Sequence, residues 1–463
     1  MYIKDELNSN TKSSENNSIN STENSSISTV VSSKEYYEES PYRFYIALSF
    51  VLLSFANGFQ WVTVSSCFSN FSITYNLPNW KVNMFSLIYM IVYPFICIPQ
   101  GYLMENYSTR AGIFLASGLT LVGSILKIFV NHSMLVCFIG QILCALGQPP
   151  ILDSVGKFAA RWFNNNSRNF VTTVLCVSNT IGILIGYVFF NFIIDSKIDP
   201  STNPELYKKE FFLNILCQFF LTFAFCLPSF FITSDAPTYP TSPSQVNLKP
   251  IPLLETLQLL FMNKRFDYLL VSTFFVVGYF DVFGTICYTV FSMYNVTETQ
   301  SSVVYGVANS FGILSALIIS VWVDRTKKFK LTMLLLTFGG IILQTLFTIL
   351  FEFTLHYSIL NPYAVALVMY SLVSMIVIPY YTIGMNYACE ITYPLGECIN
   401  GGLMMSMSQI SGIGGTFLCE DVMKRYPDKK YLVNIIMILF FLMAFIFSFF
   451  LDDTLDRNEI EET

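Results

Sequence analysis

The sequence predicts an all-α membrane protein with twelve transmembrane helices arranged as two six-helix lobes. Three observations support this prediction: the composition, twelve long apolar runs, and a loop motif that recurs in both halves. Of the 463 residues, 53% are hydrophobic and only 12% are charged, whereas soluble globular chains carry about 25% charged residues. So few charges cannot cover several soluble domains, and a mean hydropathy of +0.54 agrees with a chain embedded in lipid.

The composition also excludes several classes of function. A net charge of -6 argues against a nucleic-acid partner, which would require a basic surface. With two histidines in the chain, no paired catalytic histidine and no nucleophile beside a base, we expect no enzyme, no metal site and no bound cofactor. Nearly all of the eleven cysteines lie in apolar runs and none forms a CxxC pair, so we interpret them as small buried hydrophobic residues.

A helix needs roughly 20 apolar residues to cross about 30 Å of hydrocarbon. The predicted spans are 44–69, 83–103, 111–130, 134–156, 169–194, 211–232, 267–293, 302–323, 331–351, 361–388, 397–418 and 431–451. We expect no cleavable signal peptide before them. A proline-rich polar stretch separates six spans from six. The predicted organisation is a disordered cytosolic tail 1–41, an N-terminal lobe 42–232, a cytosolic linker 233–265, a C-terminal lobe 266–452 and a cytosolic tail 453–463.

The distribution of basic residues predicts that both chain termini lie in the cytosol. This orientation places Arg43, Arg110, Lys157 and Arg325 inside, and the basic group after span eleven is the main exception. We expect a monomer in contact with the lipid bilayer. The plasma membrane is the expected location, with an internal membrane as the alternative.

One loop motif recurs in equivalent positions of the two halves. The loop after span two contains Gly101, Glu105 and Arg110, and the loop after span eight contains Asp324 and Arg325. This pattern resembles the loop motif of the major facilitator superfamily. The resemblance implies a two-lobed carrier. The small residue allows close helix approach, and the acid and base can latch neighbouring helix ends in one conformation. The alternative is that each charge only orients its loop.

Polar residues within the spans are the candidate substrate ligands, because their burial in hydrocarbon is costly. Asn57, Gln60 and Trp61 share a face of span one, and we expect Trp61 to face the central cavity. Gln148 in span four and Gln409 in span eleven should approach that cavity from opposite lobes. Asn179 in span five recurs at the position equivalent to Gln409. The alternative for each amide is that it only joins helices, which contributes roughly 0.6 kcal/mol.

Asp281 is the sharpest single candidate. It lies in the middle of span seven, with Thr285 and Tyr288 on the same helix face. A carboxylate in hydrocarbon must pair, protonate or meet a cation. We therefore predict that it contacts a cationic substrate or carries a coupling proton. A structural ion pair with Lys127 is the alternative.

Six stretches resemble the feline leukaemia virus subgroup C receptor family of the major facilitator superfamily. They are NGFQW (57–61), FSLIYMIVYPF (85–95), GQILCALGQ (140–148), ARWF (160–163), EITYP (390–394) and SQISGI (408–413). The resemblance implies carriage of choline and ethanolamine, with haem also attributed to the family. It implies a site in which Trp61, Gln148 and Gln409 surround the quaternary ammonium. Asp281 stands where the family has a second aromatic residue, a tyrosine.

These observations predict a membrane carrier that moves a small organic solute by alternating access, most simply a cation of the choline or ethanolamine kind. An indole beneath an ammonium contributes about 0.5–2 kcal/mol. Haem is the alternative substrate, but neither His132 nor His356 lies in a predicted span, so its iron would have to take a Cys, Met or Tyr ligand. A non-transporting receptor or nutrient sensor on the same fold is the alternative of a different class.

Overall fold

Long helices make up most of the described chain. The structure, a computed structural model, describes residues 39–193, 200–246, 251–357 and 360–462, so the predicted tail 1–41 lies almost wholly outside the described residues. The long helices of the first half are α1 Tyr42–Trp61, α2 Asn79–Asn106, α3 Thr109–Lys127, α4 Met134–Leu146, α5 Arg168–Ile193 and α6 Pro204–Cys226. Those of the second half are α7 Lys264–Ser292, α8 Glu298–Thr326, α9 Phe329–Tyr357, α10 Pro362–Ile391, α11 Glu397–Arg425 and α12 Tyr431–Phe449.

Eleven helices among the described residues are long and apolar enough to cross a membrane, and α11 is the long helix that does not qualify. Its glycines and serines lower its mean hydropathy. Its polar residues nonetheless lie inside the protein, since Asn400, Ser408 and Gln409 are all buried. The helix packs against α7 of its own lobe and α2 of the other. A helix covered by protein on both sides needs less apolar surface than one that faces lipid.

Two predicted spans are shorter and more broken than the apolar runs suggested. Helix α1 ends at Trp61 instead of residue 69, and a separate short helix, Phe68–Thr74, follows it. Helix α4 ends at Leu146 and the chain continues as a five-residue helix, Gln148–Leu152, that contains Pro149 and Pro150. Proline has no backbone N–H and disrupts a continuous helix. The breaks place Trp61 and Gln148 at helix ends.

The lobes pack internally and then against each other. In the first half α1 packs on α5 and α3 on α4, while in the second half α8 packs on α10 and α7 on α11. Contacts between the halves run through α2 with α11 and α5 with α8. These two pairs are equivalent under the six-helix repeat, which relates α2 to α8 and α5 to α11. Tilting one lobe against the other must therefore break or form both pairs.

The linker and the C-terminal segment are packed against the end of the lobes that holds the repeated loops, called the cytosolic end below from the predicted orientation. The linker contains the helix Leu253–Met262, and the predicted tail 453–463 contains the helix Asp456–Glu462. The side chains of Ser244 and Arg457 are fully buried. The C-terminal segment is thus a docked helix where the sequence suggested only a tail.

Candidate functional site

The acids of the two repeated loops each bind the N-terminus of a helix in the opposite lobe. The Glu105 carboxylate accepts a hydrogen bond from the backbone N–H of Cys398, at the start of α11 (3.2 Å). The Asp324 carboxylate accepts bonds from the backbone N–H groups of Asn169 (3.0 Å) and Phe170 (2.9 Å), at the start of α5. The first N–H groups of a helix lack internal partners and carry partial positive charge. Equivalent carboxylates therefore fasten both interlobe helix pairs.

The other members of the predicted latch have unequal surroundings. Gly101 lets α11 approach α2, because a Cβ atom there would lie 3.2 Å from the backbone oxygen of Cys398. Arg110 bonds to the linker, where its guanidinium donates to the backbone oxygen of Thr233 (2.9 Å). Arg325 is exposed and makes no hydrogen bond or ion pair with the described residues. For these two arginines the alternative role, orienting the loop, fits the contacts better than a latch across the lobes.

Lys157, a basic residue that was not selected from the sequence as part of the latch, pairs with Glu105 of the first loop. The Lys157 ammonium lies 3.2 Å from the Glu105 carboxylate and is almost completely buried. It also donates to the backbone oxygens of Met104 and Glu105. Its apolar surroundings in the sequence, KFAARW, gave no sign of this pairing.

Buried ion pairs join the C-terminal helix to both lobes. The Glu461 carboxylate lies 2.8 Å from Arg168 of α5, and Arg457 lies 3.0 Å from Glu397 of α11. Burial acts to raise the pKa of Glu461, but the nearby Arg168 and Arg457 charges and the hydroxyl of Ser244 outweigh it, so the pKa lies below the usual value. Glu390 is buried 3.8 Å from Arg168 in the same network.

Asn57 and Gln60 form hydrogen bonds inside the N-terminal lobe. The Asn57 amide donates to the backbone oxygen of Cys144 (2.9 Å) and to Thr120 (3.3 Å). The Gln60 amide donates to Thr222 (2.7 Å). Both side chains are at most 1% exposed. Their amides are occupied in joining helices, which is the alternative that the sequence left open.

Lys127 is the partner of Gln60 and not of Asp281. Its ammonium donates to the backbone oxygen of Gln60 (2.8 Å), to the Gln60 side-chain oxygen (3.0 Å) and to Thr63 (3.4 Å). These carbonyl groups lie at the C-terminal end of α1, where a positive charge is favoured. The ammonium is thus satisfied without an acid, and the alternative ion pair with Asp281 is absent from the described residues.

Trp61 leaves the face shared by Asn57 and Gln60 and lies against α2. The indole N–H donates to the backbone oxygen of Ser86 (3.1 Å), and the ring stacks on Tyr89 with centroids 5.7 Å apart. Asn179 donates to the backbone oxygen of Ser54 (2.9 Å), so its amide joins α5 to α1. Trp61 thus contacts α2, whereas the amides of Asn57, Gln60 and Asn179 join helices within the lobe.

Gln148 and Gln409 differ from those amides. They are 5% and 6% exposed, yet neither side chain has a hydrogen-bond partner among the described residues. The Gln148–Leu152 segment packs against α2 and α11, and Gln409 lies on α11 itself. Buried amides ordinarily find partners. These two therefore retain donors and acceptors for another molecule.

Asp281 lies beside the same stretch of α11. A Cβ atom added to Gly412 would lie 2.7 Å from the Cβ of Asp281, so the two helices are in close contact there. The Oδ2 atom of Asp281 is buried and accepts no hydrogen bond within the described chain, where Asp281 also has no ion pair. Two turns further along α7, Tyr288 is 48% exposed.

Tyr89 and Asp153 are two further polar residues of this region that sequence reasoning did not select. Tyr89 stacks on Trp61, and its buried hydroxyl has no partner among the described residues. Asp153 is fully buried and accepts a hydrogen bond from Tyr93. Tyr89 and Tyr93 lie one helical turn apart in an apolar run of the sequence. That spacing could have identified Tyr89 and also Tyr93, the residue that binds Asp153.

Comparisons with known proteins agree with this architecture. The family model of the Major Facilitator Superfamily matches residues 46–395. The chain is 26% identical to the choline/ethanolamine transporter FLVCR1 of Felis catus over 90% of this chain and 74% of that protein. It is 26% identical to flvcr2a of Danio rerio, also a choline/ethanolamine transporter, over 93% and 90% of the two chains. These relatives confirm the resemblance drawn from the sequence.

Solved structures give the same fold. The fucose transporter FucP, in its outward conformation, has a TM-score of 0.68 and 18% identity, covering 89% of this chain and 98% of that one. The proton:xylose symporter XylE has a TM-score of 0.63 and 11% identity over 92% and 99%. Both have twelve helices in two lobes, so the predicted fold class is confirmed. With a family match over most of its length, the chain belongs to the major facilitator superfamily and is a multi-pass membrane transporter, not an enzyme.

Proposed function

We propose that this transporter carries a small organic cation of the choline or ethanolamine kind by alternating access. The observation that carries the proposal is Asp281, a carboxylate in the middle of a membrane-spanning helix without a basic partner among the described residues. An uncompensated charge at this depth is costly unless a cation or proton meets it. The names of the similar proteins from cat and zebrafish support the same class of substrate.

The contacts divide the predicted ligands into two groups. Trp61 offers an aromatic face, Gln148 and Gln409 offer unoccupied amides from the two lobes, and Asp281 offers negative charge. We place Tyr288 on the approach to Asp281, because it is exposed on the outer half of the same helix. Asn57, Gln60 and Asn179 are left out of this set, since their amide N–H groups are already bonded within the lobe.

Alternating access requires that the interlobe contacts at the cytosolic end open and close. Glu105 and Asp324 stabilise the closed arrangement by binding helix N-termini of opposite lobes. Opening exposes both carboxylates and both helix ends to water, which replaces the lost hydrogen bonds. The latch is therefore strong enough to hold one state and can still be released.

Uptake into proteoliposomes tests the proposal. The purified full chain is offered labelled choline, ethanolamine, haem and an amino acid, with protein-free liposomes as the control. We expect saturable uptake of at least one of the two amines, inhibited by an excess of the same unlabelled amine. A variant with alanine at both Gln148 and Gln409 should lose most of it. Uptake of haem or the amino acid alone, or of none of the four, contradicts the proposal.

A further inference from the structure

One oxygen atom of the Asp281 carboxyl group has no hydrogen-bond donor among the described residues. Its Oδ2 atom is buried and accepts no hydrogen bond from the part of the chain that the structure describes. Met90 of α2 and Ser408 and Gly412 of α11 lie near it, and no basic side chain of the described residues forms an ion pair with it. A ligand that brings N–H groups would complete this acceptor.

The aromatic part of the site, at Trp61, offers few ring faces to a cation. Quaternary ammonium groups are recognised by aromatic faces placed around the cation. Of the two faces of the Trp61 indole, one is covered by Tyr89, whose ring is inclined by only 24° at a centroid distance of 5.7 Å. The indole N–H is bonded to Ser86 of α2. Trp61 also packs against the cluster of Tyr89, Cys144 and Ala145, so at most one indole face is open to a cation, which is a weak cage for a group that has no N–H.

Resting on the proposed function, we infer that Asp281 makes the site selective for ammonium groups that carry N–H bonds, so that an ethanolamine-like primary amine is preferred to choline. A primary ammonium donates to Oδ2 while it pairs with the negative charge, and such charge-assisted bonds are short and strong. A trimethylammonium group cannot donate. It leaves Oδ2 desolvated without a hydrogen bond, and its methyl groups keep the positive charge farther from the carboxylate.

The packing around the carboxyl favours the smaller group as well. Helix α11 approaches α7 so closely at Gly412 that a Cβ atom would lie 2.7 Å from Asp281 and 2.6 Å from Met90. At the neighbouring turn, a Cβ at Gly278 would lie 1.9 Å from the Ser411 hydroxyl. The two helices are therefore in close contact at Asp281 and one turn before it, which limits the room for three added methyl groups beside this residue.

A graded series of substrates tests this inference. Ethanolamine and its N-methyl, N,N-dimethyl and N,N,N-trimethyl derivatives, the last being choline, have three, two, one and no N–H groups on the cation. Their half-saturating concentrations for uptake by the full chain in proteoliposomes should rise along the series, by at least about tenfold from first to last. In Asp281→Asn the series should become flat. Asp267→Asn, at the cytosolic end of the same helix, is the matched control and should keep the slope.

The outcomes separate the inference from the function on which it rests. Uptake of neither ethanolamine nor choline overturns both. Equal half-saturating concentrations along the series in the unmodified chain leave organic-cation transport standing and overturn the selectivity. A slope that persists in Asp281→Asn, together with a loss of proton-driven accumulation, identifies Asp281 as a proton carrier and also overturns it. Asp281→Glu retains the charge and should retain the order, which keeps the test decisive if the asparagine variant does not fold.

Discussion

Carboxylates at the cytosolic end of this transporter and the carboxylate at its centre lie in opposite surroundings. Asp324 accepts hydrogen bonds from two backbone N–H groups of α5, and Glu461 lies 2.8 Å from a buried arginine. Asp281 has a buried oxygen that accepts nothing within the described residues. Asp324 and Glu461 have backbone N–H or arginine partners within the chain, although the Oε2 atom of Glu461 is also buried without one, whereas Asp281 has neither kind of partner among the described residues. Closure and binding are therefore assigned to different parts of one helical framework.

This difference determines what a substitution should do. Removing a satisfied acid at the cytosolic end costs hydrogen bonds that exist only while the lobes are closed there, so it shifts the balance between conformations. Removing an unsatisfied group at the centre costs nothing until a ligand arrives, so it changes affinity. Each experiment below changes either the contacts at the cytosolic end or the groups at the centre, and leaves the other set unchanged.

The largest expected effect is at Asp324. Asp324→Ala removes three accepted hydrogen bonds, two of them from the N-terminus of α5, and bonds to a charged group contribute about 1.5–3 kcal/mol each. We expect the population open to the cytosol to rise at least about 30-fold, since the loss of even one such bond, about 2 kcal/mol, gives that factor when about 1.4 kcal/mol is a factor of ten. The measurement is alkylation of buried Cys398 by an impermeant maleimide from the cytosolic side, followed by mass spectrometry.

Arg325 supplies the matched control for this experiment. It is the next residue in the same loop, but it is exposed and has no partner in the described part of the chain. Arg325→Ala should leave the alkylation of Cys398 unchanged. Equal alkylation in the Asp324 and Arg325 variants would show that the contacts of Asp324 do not stabilise closure.

The second expected effect is at Trp61. Trp61→Ala removes the aromatic face and should raise the half-saturating concentration of the transported amine roughly tenfold, because a cation over an indole contributes about 0.5–2 kcal/mol. Trp61→Phe should retain part of the affinity. Trp80, which is 64% exposed at the other end of the α1–α2 connection, is the control, and Trp80→Ala should have no effect on uptake. An unchanged half-saturating concentration in Trp61→Ala would remove the indole from the site.

Much of this architecture was predictable from the sequence, for a physical reason. Hydrocarbon imposes a length of about 20 residues on every span, so apolar runs located all twelve long helices. The breaks were less visible, because contacts at a helix end, such as the Lys127 ammonium that binds the Gln60 carbonyl of α1, come from another helix. A run of apolar residues carries no sign of such a tertiary contact.

The candidate site was predictable only in part. Gln148 and Asn57 look alike in the sequence, as amides within apolar runs. They differ because Thr120 and the backbone of Cys144 lie within reach of Asn57, and helical periodicity cannot show which neighbour lies opposite a side chain. The sequence did indicate that Asp281 lacks an obvious basic partner, because the scarcity of basic residues within the apolar runs is visible in it.

The third expected effect separates these two kinds of amide. Gln148→Ala or Gln409→Ala should raise the half-saturating concentration about five- to tenfold, the cost of about one hydrogen bond to a ligand, with little change in thermal unfolding. Asn57→Ala should lower the melting temperature with little change in the half-saturating concentration, since it removes the bonds that join α1 to Cys144 and Thr120. Measuring uptake and melting temperature on the same preparations checks both. Loss of stability without loss of affinity at Gln148 would place it with Asn57.

A smaller effect follows from the lowered pKa of Glu461. Burial acts to raise that pKa, and Arg168, Ser244 and Arg457 more than offset it. A carboxyl whose pKa is lower in the folded protein stabilises the fold above its unfolded pKa and loses that contribution as pH falls through the folded value. The loss is therefore confined to pH values below about 4.3, the usual glutamate pKa. Melting temperatures measured from pH 7 to pH 3 should fall less steeply in Glu461→Gln than in the unmodified chain.

The smallest effect is expected one turn away in the same C-terminal helix. Asp456 lies 2.7 Å from Arg265, a distance as short as that of the buried pair of Glu461 and Arg168, but both side chains are 27% exposed. Water screens such a pair, whose contribution is typically 0–1 kcal/mol and falls with added salt. Asp456→Asn should therefore lower the melting temperature by no more than a few degrees at low salt, and the difference should shrink at about 1 M salt. A large, salt-independent loss would mean that this helix is fastened by the pair itself, and not by the buried contacts of Arg457 and Glu461.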